Sequence, residues 1–277
     1  MINKPLKWHG GKHYLAPLLV ELFPKHLHYV EPFFGGGSVL FQKDPGNCSE
    51  VINDIHGELM AFWRVVQSPT RVEQMKEVLS VIPFGKPSFE DALDGGTFGD
   101  PGDSELQRAL RLFIRYRQSR GGMGKDFATL SRRRTRAGMN EQVSSWLGAI
   151  DGLSQAALRL RRVVIFSEPA NAIIRQQDGD DTFFYLDPPY LKSTRTAKTV
   201  YDFEMSEEHH RELLEVVLSC EGKVMISAYQ SELYDDLLCD WNHHDIAIDN
   251  KQSAKASKPK MTERIYMNYA PEKWLKA

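Results

Sequence analysis

No run of about 18 apolar residues occurs in this 277-residue sequence, so no membrane-spanning helix is predicted. Cysteine is scarce. Cys48, Cys220 and Cys239 are odd in number and far apart, which argues against a disulfide framework and for a reducing cytoplasm. The opening Met1-Ile2-Asn3-Lys4-Pro5 lacks the apolar core of a secretory signal. No Cys/His spacing fits a zinc site, and no metal is expected. Adjacent side chains on a regular element point in different directions, so His209-His210 and His243-His244 read as surface histidines. Also missing is a Gly-x-Gly-x-x-Gly phosphate fingerprint, which removes the main support for a nicotinamide dehydrogenase. Acidic residues are sparse in one segment. From Arg108 to Arg162 thirteen Arg and Lys face only Asp126, Glu141 and Asp151, a net of +10 in a chain whose total is −2. Such segregation suggests a polyanion-facing module on a neutral or acidic body.

What remains is ordinary globular material, 42% hydrophobic and 26% charged. It is enough for one large domain or one domain carrying an insertion. The chain is organised around Phe183-Phe184-Tyr185-Leu186-Asp187-Pro188-Pro189-Tyr190. The apolar run predicts a buried strand, and the two prolines end it in a stiff, exposed corner. The Asp187 carboxylate and the Pro188 carbonyl only accept hydrogen bonds. Together they suit an amino group that donates two. The Tyr190 ring beside them suits stacking on the plane that carries this amino group. A plain strand end with a packing aromatic is the alternative.

Two glycine-rich stretches precede this corner. Trp8-His9-Gly10-Gly11-Lys12 comes before a predicted helix from Tyr14 to Phe23, with Lys12 in reach of a ligand carboxylate. A glycine turn with a solvated lysine is the bland alternative. His28 to Glu31 reads as a strand running through Pro32, Phe33 and Phe34 into Gly35-Gly36-Gly37-Ser38 and an apolar helix start. A second strand from Glu50 ends in Asp54, 17 positions after Gly37. An acid there suits ribose hydroxyls, and the lack of a phosphate fingerprint favours adenosine without a pyrophosphate.

In this order Trp8 to Lys12, Glu31 to Ser38, Asp54 and Asp187 to Tyr190 resemble the Dam-like family of DNA adenine-N6 methyltransferases, which use S-adenosylmethionine. The resemblance implies cofactor contacts from Trp8, Lys12, Asp54 and Asp187. It implies a cofactor floor from Glu31, Pro32, Phe33, Phe34, Gly35, Gly37 and Ser38, and a catalytic corner of Asp187, Pro188 and Tyr190. Glu168, after the strand Val163 to Phe166, takes the place of an acid near the cofactor's adenine. Pro169 breaks that family pattern. The resemblance also places target recognition between the glycine-rich motif and the corner. DNA contacts are therefore expected from Arg115, Arg117, Arg120, Lys125, Arg132, Arg133, Arg134 and Arg136, with Lys192 and Arg195 clamping the DNA beyond the corner. This segment departs from the better-known members, so no recognition site is carried over.

The expected fold is α/β, a Rossmann-like methyltransferase sheet with a helical insertion. Strand–helix alternation predicts the mainly parallel part, and the family implies the C-terminal antiparallel hairpin. Residues 1–66 and 156–277 would form the catalytic domain and 67–155 the basic insertion. Helices are expected at Glu58 to Val66, Val72 to Leu79, Glu105 to Gln118 and Asn140 to Arg162, with a flexible loop from Ser119 to Met139. After the corner come a helix from Ser206 to Cys220, a strand from Lys223, a helix from Glu232 and strands from His243 and Glu263, the last two joined by a long loop.

The expected reaction is methyl transfer to the N6 amino group of an adenine flipped out of double-stranded DNA. A monomeric cytoplasmic enzyme of bacterial or phage setting, near the nucleoid, fits this reading. A methyltransferase acting on RNA or protein, and a non-catalytic DNA-binding module of the same fold, are the rivals.

Overall fold

The computed structural model describes residues 4–194, 203–248, 261–272 and 274. In chain order its elements begin α1 (Ala16–Glu21), β1 (His28–Glu31), β2 (Ser49–Asn53), α2 (Gly57–Gln67), α3 (Pro69–Ser80), α4 (Lys86–Leu93) and α5 (Ser104–Gln118). Then follow β3 (Thr135–Arg136), β4 (Met139–Asn140), α6 (Glu141–Asp151), α7 (Leu153–Leu160), β5 (Val163–Phe166) and α8 (Ala170–Gln177). The last are β6 (Thr182–Leu186), α9 (Glu207–Leu218), β7 (Lys223–Tyr229), α10 (Glu232–Leu237), β8 (Asn242–Ile248) and β9 (Met261–Met267). They fall into two compact units. One comprises Met1–Val20, Gly35–Pro45 and His56–Ser167, the other Glu21–Phe34, Gly46–Ile55 and Glu168–Ala277. The expected insertion, 67–155, lies wholly within the first.

The first unit is helical, and its boundaries are chemically marked. Ser68 ends α2 and caps α3, where Pro69 needs no amide partner. Asp103 caps α5 by accepting from the amides of Glu105 and Leu106 at 3.1 and 3.0 Å. Glu105 in the first turn and Arg115 and Arg117 in the last complement the helix dipole. α5 buries Leu106, Leu110, Phe113 and Ile114, and Phe113 meets Phe62 and Trp146 at ring distances of 6.0 and 5.4 Å. Gln118, fully buried, replaces missing backbone partners by accepting from the Gly85 amide and donating to the Pro83 carbonyl.

The second unit holds a sheet in the order β2-β1-β6-β7-β9-β8. β2, β1, β6 and β7 pair in parallel, and β9 runs antiparallel to both β7 and β8. Val30 lies opposite Phe184, and Leu186 opposite Ile226. β6 is buried along its whole length, as a central parallel strand covered on both faces must be.

Several expectations are corrected. α1 starts at Ala16 and is shorter than the apolar pattern. No helix follows the glycine turn, which continues as irregular turns through Phe41. The stretch 119–139, expected as a flexible loop, has local structure. It contains a short 3-10 turn at Arg120–Gly122, a bridge between Ser119 and Phe127, and the hairpin of β3 and β4. The helix from Asn140 is interrupted at Gly152, separating α6 from α7. α8 has no counterpart among the expected elements. His209 completes the cap of α9 with Ser206, and its neighbour His210 is buried, with Nδ1 2.9 Å from the Tyr234 hydroxyl. The strict helical turn places consecutive histidines on different faces, and only one of them is outward. The loop expected after β8 lies, from Asp249 to Lys260, outside the described residues.

Candidate functional site

In the second unit the chain leaves β1 toward β2 on one side, and leaves β6 toward β7 on the other. Order therefore reverses between β1 and β6, the kind of point outside whose carboxyl strand ends parallel sheets bind ligands. Glu31 closes β1, and Asp187 immediately follows β6. Asp54 follows β2. Acceptor oxygens thus gather at one end of the sheet.

The segments that follow these strand ends are tied from within. Asn53, fully buried, donates to the carbonyls of Pro32 and Glu168 at 3.1 and 2.9 Å and accepts from the Glu168 amide at 2.8 Å. The Asn53 carbonyl also receives the Phe34 amide at 2.9 Å. One side chain thereby fixes the backbone of two expected cofactor segments. The Glu168 side chain itself is exposed, and Phe33 is half-buried. The Glu31 carboxylate accepts from the Tyr29 hydroxyl at 2.9 Å, and both are buried. Burial, then the Glu31 charge, pushes the Tyr29 phenol well above its ordinary range, so it stays a donor.

The corner is less open than expected. Asp187 is half-buried, but Pro188 is buried and Tyr190 is only 8% exposed. The Tyr190 ring packs at 4.2 Å on that of Tyr229, and its hydroxyl donates to Glu263 at 2.6 Å. The correction has a simple cause. Tyr190 carries a polar tip on an apolar ring, and the sheet supplies partners for both. Behind the corner, Tyr185 is fully enclosed. Burial and the charges of Asp187, Glu31 and Glu263 push its phenol far up.

In the first unit the glycine-rich turns serve packing. A Cβ on Gly36 would lie 2.7 Å from the Trp8 Cβ, and one on Gly35 3.0 Å from the indole. Gly35 and Gly37 also hold positive φ of 50° and 69°. Trp8 stacks on Tyr116 at 4.5 Å and meets the His56 ring edge at 5.7 Å. Trp63 donates to the Gly35 carbonyl at 3.0 Å. Ser38 accepts from Lys4 at 3.3 Å. Lys12 is buried, and its carbonyl receives the amides of Leu15 and Ala16.

The cations of the first unit divide into two sets. Arg132, Arg133, Arg134 and Arg136 are exposed on and before the hairpin of β3 and β4, and Lys125 is exposed nearby. Arg134 lies 3.7 Å from Glu141, and Arg120 lies 3.2 Å from Asp126. A cavity of about 570 Å³ is lined by Lys7, Arg133, Arg134, Arg136, Glu141 and Ser145, among others. Arg117 is different, because it turns inward. Its Nη2 donates to the carbonyl and, at 2.9 Å, to the hydroxyl of Ser145. Burial lowers its pKa to about 10. Burial, then the Arg117 charge, lowers that of Lys4 to about 8 and also lowers Lys7. Arg115 is half-buried, with its Nε unpartnered among the described residues. In the second unit Lys192 is exposed on a short 3-10 turn, and Arg195 lies outside the described residues.

Sequence reading missed Asn53 and Glu263. Asn53 had one signal, a polar residue ending an apolar strand. Glu263 had none, since its partner stands 73 positions away in the chain. Among the described residues no group of three His, Cys, Asp or Glu is placed to hold a metal, and no helix is long and apolar enough to cross a membrane.

Comparison with known proteins agrees with the resemblance in the motifs. The sequence model of the D12 class N6 adenine-specific DNA methyltransferases matches residues 8–87 and 141–251. The Type II methyltransferase M1.LlaDCHI of Lactococcus lactis subsp. cremoris is 31% identical over 281 residues, covering 95% of this chain and 94% of that protein. The Type II methyltransferase M.MjaIII of Methanocaldococcus jannaschii is 25% identical, covering 95% of this chain and 98% of its own. Among solved structures, the rRNA methyltransferase aviRa of Streptomyces viridochromogenes superposes with a TM-score of 0.41 at 13% identity, covering 96% of this chain and 90% of that one. The chain belongs to the D12 class of N6 adenine-specific DNA methyltransferases. It is a site-specific adenine-N6 DNA methyltransferase, and its methyl donor is S-adenosylmethionine.

Proposed function

We propose that this enzyme acts on adenines in double-stranded DNA, flips the target base out of the helix, and holds its amino group at the Asp187–Pro188 corner. The observation that carries the reading is the reversal of strand order between β1 and β6, which brings Glu31 and Asp187 to neighbouring strand ends. The residues there fit the cofactor's chemistry. Asp54 offers a carboxylate for ribose hydroxyls, and Glu31 and Asp187 give a cationic ligand a negative setting. When bound, S-adenosylmethionine supplies a methyl group on a positively charged sulfur.

The chain's own part is to make N6 nucleophilic. Its lone pair is delocalised into the adenine ring. Hydrogen bonds to the Asp187 carboxylate and the Pro188 carbonyl take up both amino protons and favour a pyramidal nitrogen. Holding the reacting groups in line contributes on the order of 7–11 kcal/mol, the upper range for intramolecular reactions. Flipping the base costs a few kcal/mol, and contact with Tyr190 offsets part of it.

As the family resemblance implies, Trp8, Lys12, Glu31, Pro32, Phe33, Phe34, Gly35, Gly37, Ser38, Asp54, Glu168 and Asp187 serve the cofactor. Arg115, Arg120, Lys125, Arg132, Arg133, Arg134, Arg136 and Lys192 serve the DNA. Arg117, with its Nη2 bound to Ser145, positions the region rather than meeting phosphate. The enzyme works as a cytoplasmic monomer near the nucleoid, in restriction-modification; the similar proteins are named Type II methyltransferases.

Transfer of labelled methyl from S-adenosylmethionine to mixed-sequence duplex DNA, followed by nucleoside analysis and mapping, tests the reading. N6-methyladenine at one recurring short site is expected. Label found only on single strands, RNA or protein would refute it.

A further inference from the structure

We propose that Glu263 is a positioning residue for methyl transfer, holding the Tyr190 ring of the corner through a buried hydrogen bond. The inference rests on the reading that the Asp187–Pro188–Tyr190 corner is the transfer site. Tyr190 comes after two prolines, beyond the last residue of β6, so the strand ladder does not hold it. Two contacts do. The Tyr229 ring lies against it at 4.2 Å, and the Glu263 carboxylate takes its hydroxyl at 2.6 Å. Tyr229 and Glu263 are directly opposite each other on β7 and β9. One rung of the sheet therefore grips the ring at its side and at its tip.

The choice of a carboxylate is informative. Glu263 is only 1% exposed, and a buried carboxylate is costly unless hydrogen bonds satisfy it. The same Oε1 accepts from the buried Ser227 hydroxyl at 2.5 Å, from the neighbouring strand. A neutral acceptor would suffice to join the strands. A charged one gives a shorter and stronger bond to the phenol. Glu263 also acts, with Asp187 and Glu31, on the buried Tyr185 hydroxyl, which places its charge beside the corner. Fixing the Tyr190 ring fixes the surface against which the target base rests, and so the approach of N6 to Asp187.

The test is single-turnover methyl transfer by wild type, Glu263→Gln, Tyr190→Phe and the double variant, with DNA and S-adenosylmethionine affinities measured alongside. Tyr190→Phe deletes one oxygen and keeps the packed ring, so it informs even where Glu263→Gln folds poorly. Each single variant is expected to transfer methyl about 10-fold more slowly or worse, with affinities changed less than about threefold. The double variant is expected to be no slower than the worse single one. Wild-type transfer rates in either single variant, rate reductions that multiply in the double, or a fall in affinity in place of rate would overturn the proposal. A wild type that makes no N6-methyladenine would instead overturn the functional reading, and the positioning role with it.

Discussion

Neutralising Arg132, Arg133 and Arg136 together should change how DNA binding depends on salt, and by a predictable amount. All three are exposed on or before the β3–β4 hairpin, whereas Arg134 is engaged with Glu141 and Arg117 with Ser145. Each phosphate that an arginine no longer neutralises takes about 0.9 from the slope of log affinity against log salt on B-form DNA. Three such phosphates make the slope shallower by about 2.7. Between about 50 and 200 mM salt, the affinity of wild type should then fall by a factor roughly 40-fold larger than that of the triple alanine variant. Fluorescence anisotropy with a labelled duplex across that range measures it directly. Cofactor affinity should not change. An unchanged slope would refute the assignment of the hairpin as a phosphate-binding surface, whatever happened to affinity at one salt concentration.

Asp187→Ala removes the charged acceptor of the corner and should slow single-turnover methyl transfer by at least about a hundredfold, given charged hydrogen bonds of about 1.5–3 kcal/mol and impaired alignment besides. Lys4 offers a test by pH. Its folded pKa, about 8, lies below the unfolded value, so between about pH 8 and 10 the unfolded chain binds more protons and stability rises with pH. Lys4→Met should lack that rise, on the order of 1–3 kcal/mol, in urea titrations at the two pH values. Two glycine substitutions should move melting in opposite directions. Gly36→Ala forces a Cβ to 2.7 Å from the Trp8 Cβ and should cost about 1–3 kcal/mol. Gly148→Ala, inside α6 with open space around it, should stabilise by about 0.5–1 kcal/mol.

Much of the sheet was legible because its central strands are short apolar runs ending in punctuation. β6 is stopped by two prolines, and β1 runs directly into Pro32 and the glycine turn. Ser206 with Glu207 and Glu208 marked the start of α9 equally well. Legibility failed where glycine and arginine dominate. Between Ser119 and Met139 no periodicity exists to read, yet a hairpin forms there. Its turn at Ala137 and Gly138 takes positive φ of 51° and 73°. A two-residue turn of that hand suits strand twist, but Ala-Gly advertises it weakly. The direction of the Arg117 side chain was not legible either. Composition reports the density of charge, not its direction, and Arg117 turns its Nη2 to Ser145.

The corner itself shows the limit most sharply. Acceptors, prolines and an aromatic ring in one tetrapeptide suffice to suggest an amino group as ligand, because those properties are local. Whether the ring is free or held is not local. Tyr190 looks exposed in the sequence, since prolines on its N-terminal side promise a turn at the surface. It is buried because β9 returns beside β7 and brings Glu263 to its hydroxyl. A free tyrosine would have to be ordered by the incoming base, at the expense of binding energy. A ring already fixed by the sheet incurs that entropy cost on folding, and more of the binding energy of the base then remains for the transfer step.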